Sequence, residues 1–219
     1  MKNKKLFIYG TGTIAEIAHF YFSTDSDYEV EAFLDENVSA SQDHTFLGKK
    51  ILSLSELDNS YQRDEIKVFV AIGYKNTNKL REQRFNELKS NGYKFASYIS
   101  SNATVLTDKI GINNFILENN VLQPFTEIGD NVYMWSGNHL GHHSIVEDNV
   151  FISSHVVISG KCVIKRNSFL GVNSCLHDGI TIGEKSLIGA GSIVSKSCDP
   201  RTVYSPPKPT SRIIDRDLI

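Results

Sequence analysis

The chain is 219 residues long, 40% hydrophobic and 22% charged, a composition that can bury a sizeable core and excludes full disorder. Its 23 Lys and Arg against 25 Asp and Glu leave a formal net charge of -2; with no basic block or RNA-binding signature to offset it, nucleic acid is not an expected partner. No apolar run approaches the roughly 20 residues needed to span a bilayer, and residues 1–5 lead into a strand-like segment rather than a signal peptide, so the expectation is a cytoplasmic protein with no membrane partner.

Leu6-Phe7-Ile8-Tyr9 reads as a buried strand, and Gly10-Thr11-Gly12-Thr13-Ile14-Ala15 leads from it into a helix reaching about residue 22. A second strand over 30–34 stops at Asp35-Glu36-Asn37, and a third over 68–72 stops at Gly73. Residues 76–91 then read as a helix carrying Leu80, Phe85 and Leu88, with Asn91-Gly92 as its stop. Short apolar runs alternating with helical patterns are the signature of a parallel sheet. Residues 1–100 are expected to form a Rossmann-like α/β domain.

From Ile110 the period changes to six. Every sixth residue from Ile110 to Val194 is aliphatic or Met, fifteen positions without a break; by chance such a run would arise on the order of once in ten million. Four places after most of these stands a small or β-branched residue, among them Thr126, Val132, Ser144, Cys162, Ser174 and Cys198. Glycine follows the aliphatic position at 111, 129, 141, 171, 183 and 189. This is the pattern of a three-sided parallel β-helix, one aliphatic side chain per face filling a triangular core. At eighteen residues per coil the stretch holds five coils, roughly 24 Å of prism at strand spacing. Cys162 and Cys198 fall at the inward position, and the three cysteines, with no CxxC spacing, read as reduced packing residues.

The Gly10-x-Gly12-x-x-Ala15 turn on an α/β domain, followed by hexapeptide repeats, resembles the bacterial nucleotide-sugar acyltransferases of the bacillosamine, perosamine and sialic-acid O-acetyltransferase type, over nearly the whole chain. The resemblance implies a left-handed β-helix over 101–219 with a C-terminal cap, a homotrimer, and acetyl-CoA as co-substrate with no metal. Taken alone, the glycine turn suggests a dinucleotide site, because glycines let the backbone approach a pyrophosphate at a helix N-terminus. In the resembled family it holds the diphosphate of a nucleotide-linked sugar, and the end of the second strand contacts the base. Carried over, that nominates Gly10, Gly12, Thr13, Asp35, Glu36 and Asn37, with Gly73, Lys75 and Asn76 completing the pocket and Lys75 offering charge to a phosphate.

Four of the seven histidines fall between 139 and 155. Acetyl transfer to an amine or hydroxyl needs a base, and imidazole suits neutral pH. The family's loop aligns with Gly141-His142-His143-Ser144, which makes His142 the general base; His139, His143 and His155 read as surface or corner residues. Two places depart from the family. The acid that commonly follows the catalytic histidine is His143 here, and a second histidine nine residues on is Phe151. Orientation of His142 would then fall to Glu147, Asp148 or a backbone carbonyl. Acetyl-CoA is expected outside the prism between two subunits, with Gly160, one coil after His142, stacked above it. Gly189-Ala190-Gly191, Lys208 and Arg212 would supply further contacts, and proline-rich 204–209 would cap the open end. The implied activity is N-acetylation of a UDP-, dTDP- or GDP-linked amino-deoxy sugar. The alternatives are O-acetylation of a sugar hydroxyl, and a non-catalytic or metal-binding β-helix.

Overall fold

The computed structural model describes residues 4–36 and 44–206. Strand β1 (Lys4–Tyr9), buried from Leu6 onward, leads through Gly10 and Gly12 into helix α1 (Thr13–Thr24). Strand β2 (Tyr28–Leu34) pairs with β1 in parallel. A hairpin of β3 (Thr45–Phe46) and β4 (Lys49–Leu52) follows, then helix α2 (Leu54–Ser60), strand β5 (Ile66–Val70) and helix α3 (Lys79–Ser90). The sheet order is β3-β4-β2-β1-β5, parallel apart from the β3-β4 hairpin. The two helices and three main strands match the sequence pattern. The hairpin and α2 do not appear in it, although Ser53-x-x-Glu56 forms a complete capping box at the start of α2.

Helix α3 starts three residues later than its apolar pattern predicts, because Asn76, Thr77 and Asn78 all have positive φ and cannot belong to a right-handed helix. Its packed face also differs. Phe85 and Leu88 are buried, but Leu80 is 45% exposed and the position that points inward is Arg81, fully buried.

Beyond residue 97 the chain winds into a prism of three parallel sheets. The seven-stranded face runs from Tyr98–Ile99 to Val203–Tyr204, the six-stranded face from Thr104–Val105 to Ile193–Val194, and the four-stranded face from Glu127–Ile128 to Thr181–Ile182. The expected stack of aliphatic residues fills the interior, where Ile116, Leu122, Met134, Leu140 and Val146 have no exposure and Ile110, at the open end, is partly buried. Cys162 lies in this core and Cys198 packs against it; all three cysteines are free. The prism begins a coil earlier than the hexad count. Ile99 pairs with Ile116 and Val105 with Leu122, one residue short of the eighteen that separates Ile116 from Met134. Seven stacked strands make that face roughly 29 Å tall.

The corners follow a rule of their own. Every sixth residue from Asn113 to Gly191 has φ between 56 and 79°, as the third residue of a type II turn requires. Glycine and asparagine tolerate that conformation best, and Asn113, Asn119, Asn131, Asn149, Asn167 and Asn173 occupy six of these corners. At one vertex they stack: Asn113 Nδ2 donates to Asn131 Oδ1, and Asn131 Nδ2 to Asn149 Oδ1, both at 2.7 Å inside the protein.

The α/β domain covers the seven-stranded face. Outward-pointing Phe115, Tyr133 and Phe151 join Phe22, Phe69 and Tyr98 in one buried cluster, with Phe169 packed against it. Tyr74, after β5, packs on Phe151 and Phe169 with ring centroids 4.9 Å away in each case. Arg81 reaches over the edge of the prism and donates to the carbonyl oxygens of Asn131, Asn149 and Val150. Burial pulls its guanidinium down to about 10, still charged at neutral pH. Among the described residues no helix is long and apolar enough to cross a membrane.

Candidate active site

Two sites emerge, on opposite sides of the molecule. The first lies at the carboxyl ends of β1, β2 and β5. Gly10 N donates to Leu34 O at 2.9 Å, and Gly10 has a φ of 118° with its Cα so close to β5 that a Cβ would stand 2.9 Å from Ala71 O. Gly12 is the N-cap of α1 and makes no side-chain cap bond; a Cβ there would meet nothing within 4 Å. The first turn of α1, opening at Thr13, is therefore bare toward the end of the sheet, the arrangement that receives a phosphate. Thr11 Oγ1 donates to Asp35 Oδ2 at 3.1 Å, which fixes that carboxylate beside the turn, and Leu54 N donates to Glu36 Oε1 at 2.9 Å, which fixes the second carboxylate at the start of α2. Gly73 packs near Ile14, while Lys75 and Asn76 stand exposed on the loop that follows. Asn37 lies outside the described residues, as do Lys208 and Arg212.

The second site is the vertex between the six-stranded and four-stranded faces, opposite the docked face. Here Gln123, Gly141, Ser159 and His177 stack at successive levels, followed in each coil by Pro124, His142, Gly160 and Asp178. His142 N donates to Gln123 Oε1 at 2.8 Å. One coil up, Gly141 stands where Gln123 stood; it has no side chain to offer, and among the described residues Gly160 N has no acceptor. Gly141 must be glycine, since a Cβ would come within 2.6 Å of that same nitrogen.

The expected stacking of Gly160 on His142 is present. Lys161 N donates to His142 O at 2.8 Å, and a Cβ on Gly160 would lie 2.7 Å from both Cε1 and Nε2 of His142. The other nitrogen of His142, Nδ1, is 3.1 Å from Nδ1 of His143, whose ring packs against Phe125 with centroids 4.7 Å apart. The expected orienting groups are engaged elsewhere: Glu147 pairs with Lys165 at 2.6 Å, and Asp148 Oδ1 accepts from Asp130 N at 2.7 Å. His143 is thus more than a corner residue. Below it a groove of about 660 Å³ runs past Leu106, Pro124 and Phe125.

Other nominated residues lie away from His142. Gly189, Ala190 and Gly191 occupy the vertex between the seven- and six-stranded faces, where Gly189 N donates to Tyr204 O and Gly191 N to Val172 O, each at 2.8 Å. His155 is at that vertex too, stacked over Gly137, and His139 is half-buried on the six-stranded face. Phe151 is committed to docking the α/β domain and faces away from the His142 vertex. Among the described residues no group of three His, Cys, Asp or Glu is placed to hold a metal ion. Asp178 escaped the sequence reading. The signal was its spacing, two coils of eighteen beyond His142.

Residues 5–88 match the family model described as the PglD N-terminal domain, and residues 162–196 that of the hexapeptide repeat of succinyl-transferase. No curated protein sequence matched the chain. Among solved structures, it is similar to the acetyltransferase domain of PglB from Neisseria gonorrhoeae FA1090 in complex with acetyl coenzyme A. That pair is 24% identical, covering 92% of this chain and 95% of that one at a TM-score of 0.79. It is also similar to PerB from Caulobacter crescentus in complex with CoA and GDP-perosamine, at 20% identity, 91% and 92% coverage and a TM-score of 0.78. WeeI from Acinetobacter baumannii AYE aligns at 20% identity, 91% and 95% coverage and a TM-score of 0.74. The chain therefore joins an α/β domain that matches the PglD N-terminal model to a prism that matches the hexapeptide repeat, in the two-domain fold that these three proteins share.

Proposed function

We propose that this protein is an acetyl-CoA-dependent N-acetyltransferase acting on the amino group of a nucleotide-linked amino-deoxy sugar, residues 1–100 binding the sugar nucleotide and 101–219 transferring the acetyl group. The observation that carries the reading is the His142 vertex. An imidazole with Nδ1 engaged by His143 turns Nε2 toward Gly160, whose N–H is free of any acceptor among the described residues. As the sugar amine attacks the thioester carbonyl, the C–N bond forms and Nε2 takes a proton from nitrogen. That proton passes to sulfur as the C–S bond breaks. The Gly160 N–H is offered to the carbonyl oxygen as it gains charge.

In this reading the first turn of α1, from Gly10 to Thr13, holds the diphosphate, Asp35 and Glu36 meet the base, and Gly73, Lys75 and Asn76 close the pocket. Coenzyme A lies along the prism past Gly160, with Gly189 and Ala190, which stand at a different vertex, supplied by a second copy, and Lys208 as a further contact. PglB and PerB, similar in fold, are described with acetyl coenzyme A and with CoA and GDP-perosamine, which supports both ligands. One chain's pocket faces away from its own His142, so the amine must be delivered to a corner of a second copy. A left-handed prism in a homotrimer meets that requirement. The six-stranded face, with Val121, Val157 and Ile193 pointing outward and Ile193 72% exposed, gives the copies an apolar surface to share. Acetyl-CoA as donor supports a cytoplasmic location.

Free-thiol release from acetyl-CoA tests the reading, with UDP-, dTDP- and GDP-linked 4-amino-4,6-dideoxy sugars set against their hydroxy counterparts. Release with an amino sugar alone is expected. Release only with hydroxy sugars would replace this function by O-acetylation, and failure to bind acetyl-CoA would leave a non-catalytic scaffold.

A further inference from the structure

The point that a Cβ on Gly160 would occupy lies 2.7 Å from His142 Nε2 and 2.9 Å from Asp178 Oδ1. Imidazole and carboxylate therefore face each other across a bare Cα, one from the coil below and one from the coil above. Nothing in the fold needs Asp178 there. Among the described residues it forms no hydrogen bond and no ion pair, whereas Glu147 and Glu184 in neighbouring corners are tied to Lys165 and Arg166. Its side chain leans over Gly160 although its residue is exposed and water is available to it.

An aliphatic amine arrives at neutral pH as an ammonium, with three donors and a positive charge. A base alone gives it no reason to stop over Gly160; a carboxylate beside the base does, through a charge-assisted hydrogen bond. We propose that Asp178 is the residue that selects an amine acceptor, receiving the substrate's ammonium across the Gly160 gap from His142. The inference rests on the N-acetyltransferase reading and adds to it the group that discriminates amine from hydroxyl. The steps balance. The ammonium docks on Asp178 and loses one proton to solvent at the exposed gap. The neutral amine then attacks the thioester carbonyl, the C–N bond forms, and His142 Nε2 accepts the second proton. The C–S bond breaks and that proton leaves on sulfur, giving amide, free thiol and one proton in solution. A hydroxyl acceptor carries no charge and gains nothing from the carboxylate.

The experiment uses the full-length protein and whichever amino sugar nucleotide the thiol-release panel identifies. Asp178→Asn keeps the size and loses the charge, and unaltered acetyl-CoA binding checks that its prism is folded. We expect KM for the amino sugar to rise about tenfold or more, with binding of the hydroxy analogue and of the N-acetylated product unchanged, and Asp178→Glu to recover part of the loss. KM of the wild-type protein should climb as pH passes the pKa of the sugar amine, and that of Asp178→Asn should not. Equal weakening of amino and hydroxy sugars, or an unchanged KM for the amine, overturns the role of Asp178 and leaves the acetyltransferase reading standing. A wild-type protein that releases thiol with no amino sugar overturns both.

Discussion

The Nδ1 atoms of His142 and His143 stand 3.1 Å apart with their rings nearly perpendicular, at 87°. One must donate and the other accept. If His142 donates, its Nε2 lone pair is free on the Gly160 side, and a neutral imidazole does the orienting work that a carboxylate does elsewhere. Phe125 holds the His143 ring in place. The expected outcome is that His143→Ala lowers kcat about tenfold with KM nearly unchanged, and His142→Ala lowers kcat by roughly 10²-fold or more. Steady-state kinetics separates the two, and an unchanged kcat in His143→Ala would remove His143 from the site.

Gly141 and Gly160 are neighbours in the corner stack but should respond oppositely to alanine. At Gly141 the new Cβ would press 2.5 Å from the Ser159 carbonyl carbon, in backbone that cannot yield without disturbing the coil. At Gly160 it would press on two side chains that can swing away. Thermal unfolding should therefore fall clearly in Gly141→Ala, by about 1–3 kcal/mol, and hardly at all in Gly160→Ala. Acetyl transfer should be lost in Gly160→Ala, since His142 is displaced from its pose.

Arg81 fastens α3 to the prism as a buried cation with no carboxylate among its hydrogen-bond partners in the described residues, its charge met by the side-chain oxygen of Asn78, by backbone carbonyl oxygens and by the Tyr133 ring 4.3 Å away. Replacing it with Met leaves the carbonyls of Asn131 and Asn149 buried without a donor, while Val150 O keeps its bond from Tyr133 N, at an expected cost of about 3 kcal/mol in urea unfolding. Arg81→Lys should recover little, because one ammonium cannot span the acceptors a guanidinium fork reaches.

Much of this architecture was legible because the prism core admits one residue type at one spacing: Ile116, Leu122 and Met134 must be apolar every sixth step or the coil cannot close. The first coil was hidden by a single missing residue between Val105 and Ile110, which puts Ile99 and Val105 out of phase. The corner asparagines carry an equally regular signal at positive φ, but it is a signal of backbone geometry and is weaker in composition than an apolar repeat. Arg81 was invisible for a different reason. A charged residue on a helix reads as solvent-facing unless the acceptors that bury it are known. Gly160 could be placed over His142 by counting eighteen, and the same count places Asp178. His143 reads as a surface or corner residue in the sequence, and only the side-chain geometry exposes its bond to His142.

Asp25 ties the end of α1 to the first coil, accepting from Ser101 N at 2.9 Å and from Tyr98 Oη at 2.7 Å. Those bonds, the Ser101 amide foremost, hold its carboxyl below the ordinary aspartate value. A depressed folded pKa stabilises the protein above the unfolded value near 4, and the contribution is lost as pH falls through the lower folded value. Asp25→Asn should thus be less stable than wild type by about 1 kcal/mol at pH 7, with the gap closing as pH falls through the lowered folded value of the wild-type carboxyl. A gap that persists in acid would assign the loss to packing.

Gly10 and Gly12 make the phosphate-binding reading of the first site testable without ambiguity from folding. Gly10 combines a φ of 118° with a Cβ position 2.9 Å from Ala71 O, so alanine there should destabilise the domain whatever it binds. Gly12 has a φ of -100° and open space where its Cβ would go. Gly12→Ala should still fold, with only the small loss of melting temperature that alanine brings at an N-cap, since it sits outside the helix interior where propensity counts. If the bare first turn of α1 holds a diphosphate, the added methyl stands in the ligand's approach. KM for the sugar nucleotide should then rise several-fold while KM for acetyl-CoA stays constant. An equal KM for the sugar nucleotide in wild type and Gly12→Ala would move its binding site away from the glycine turn.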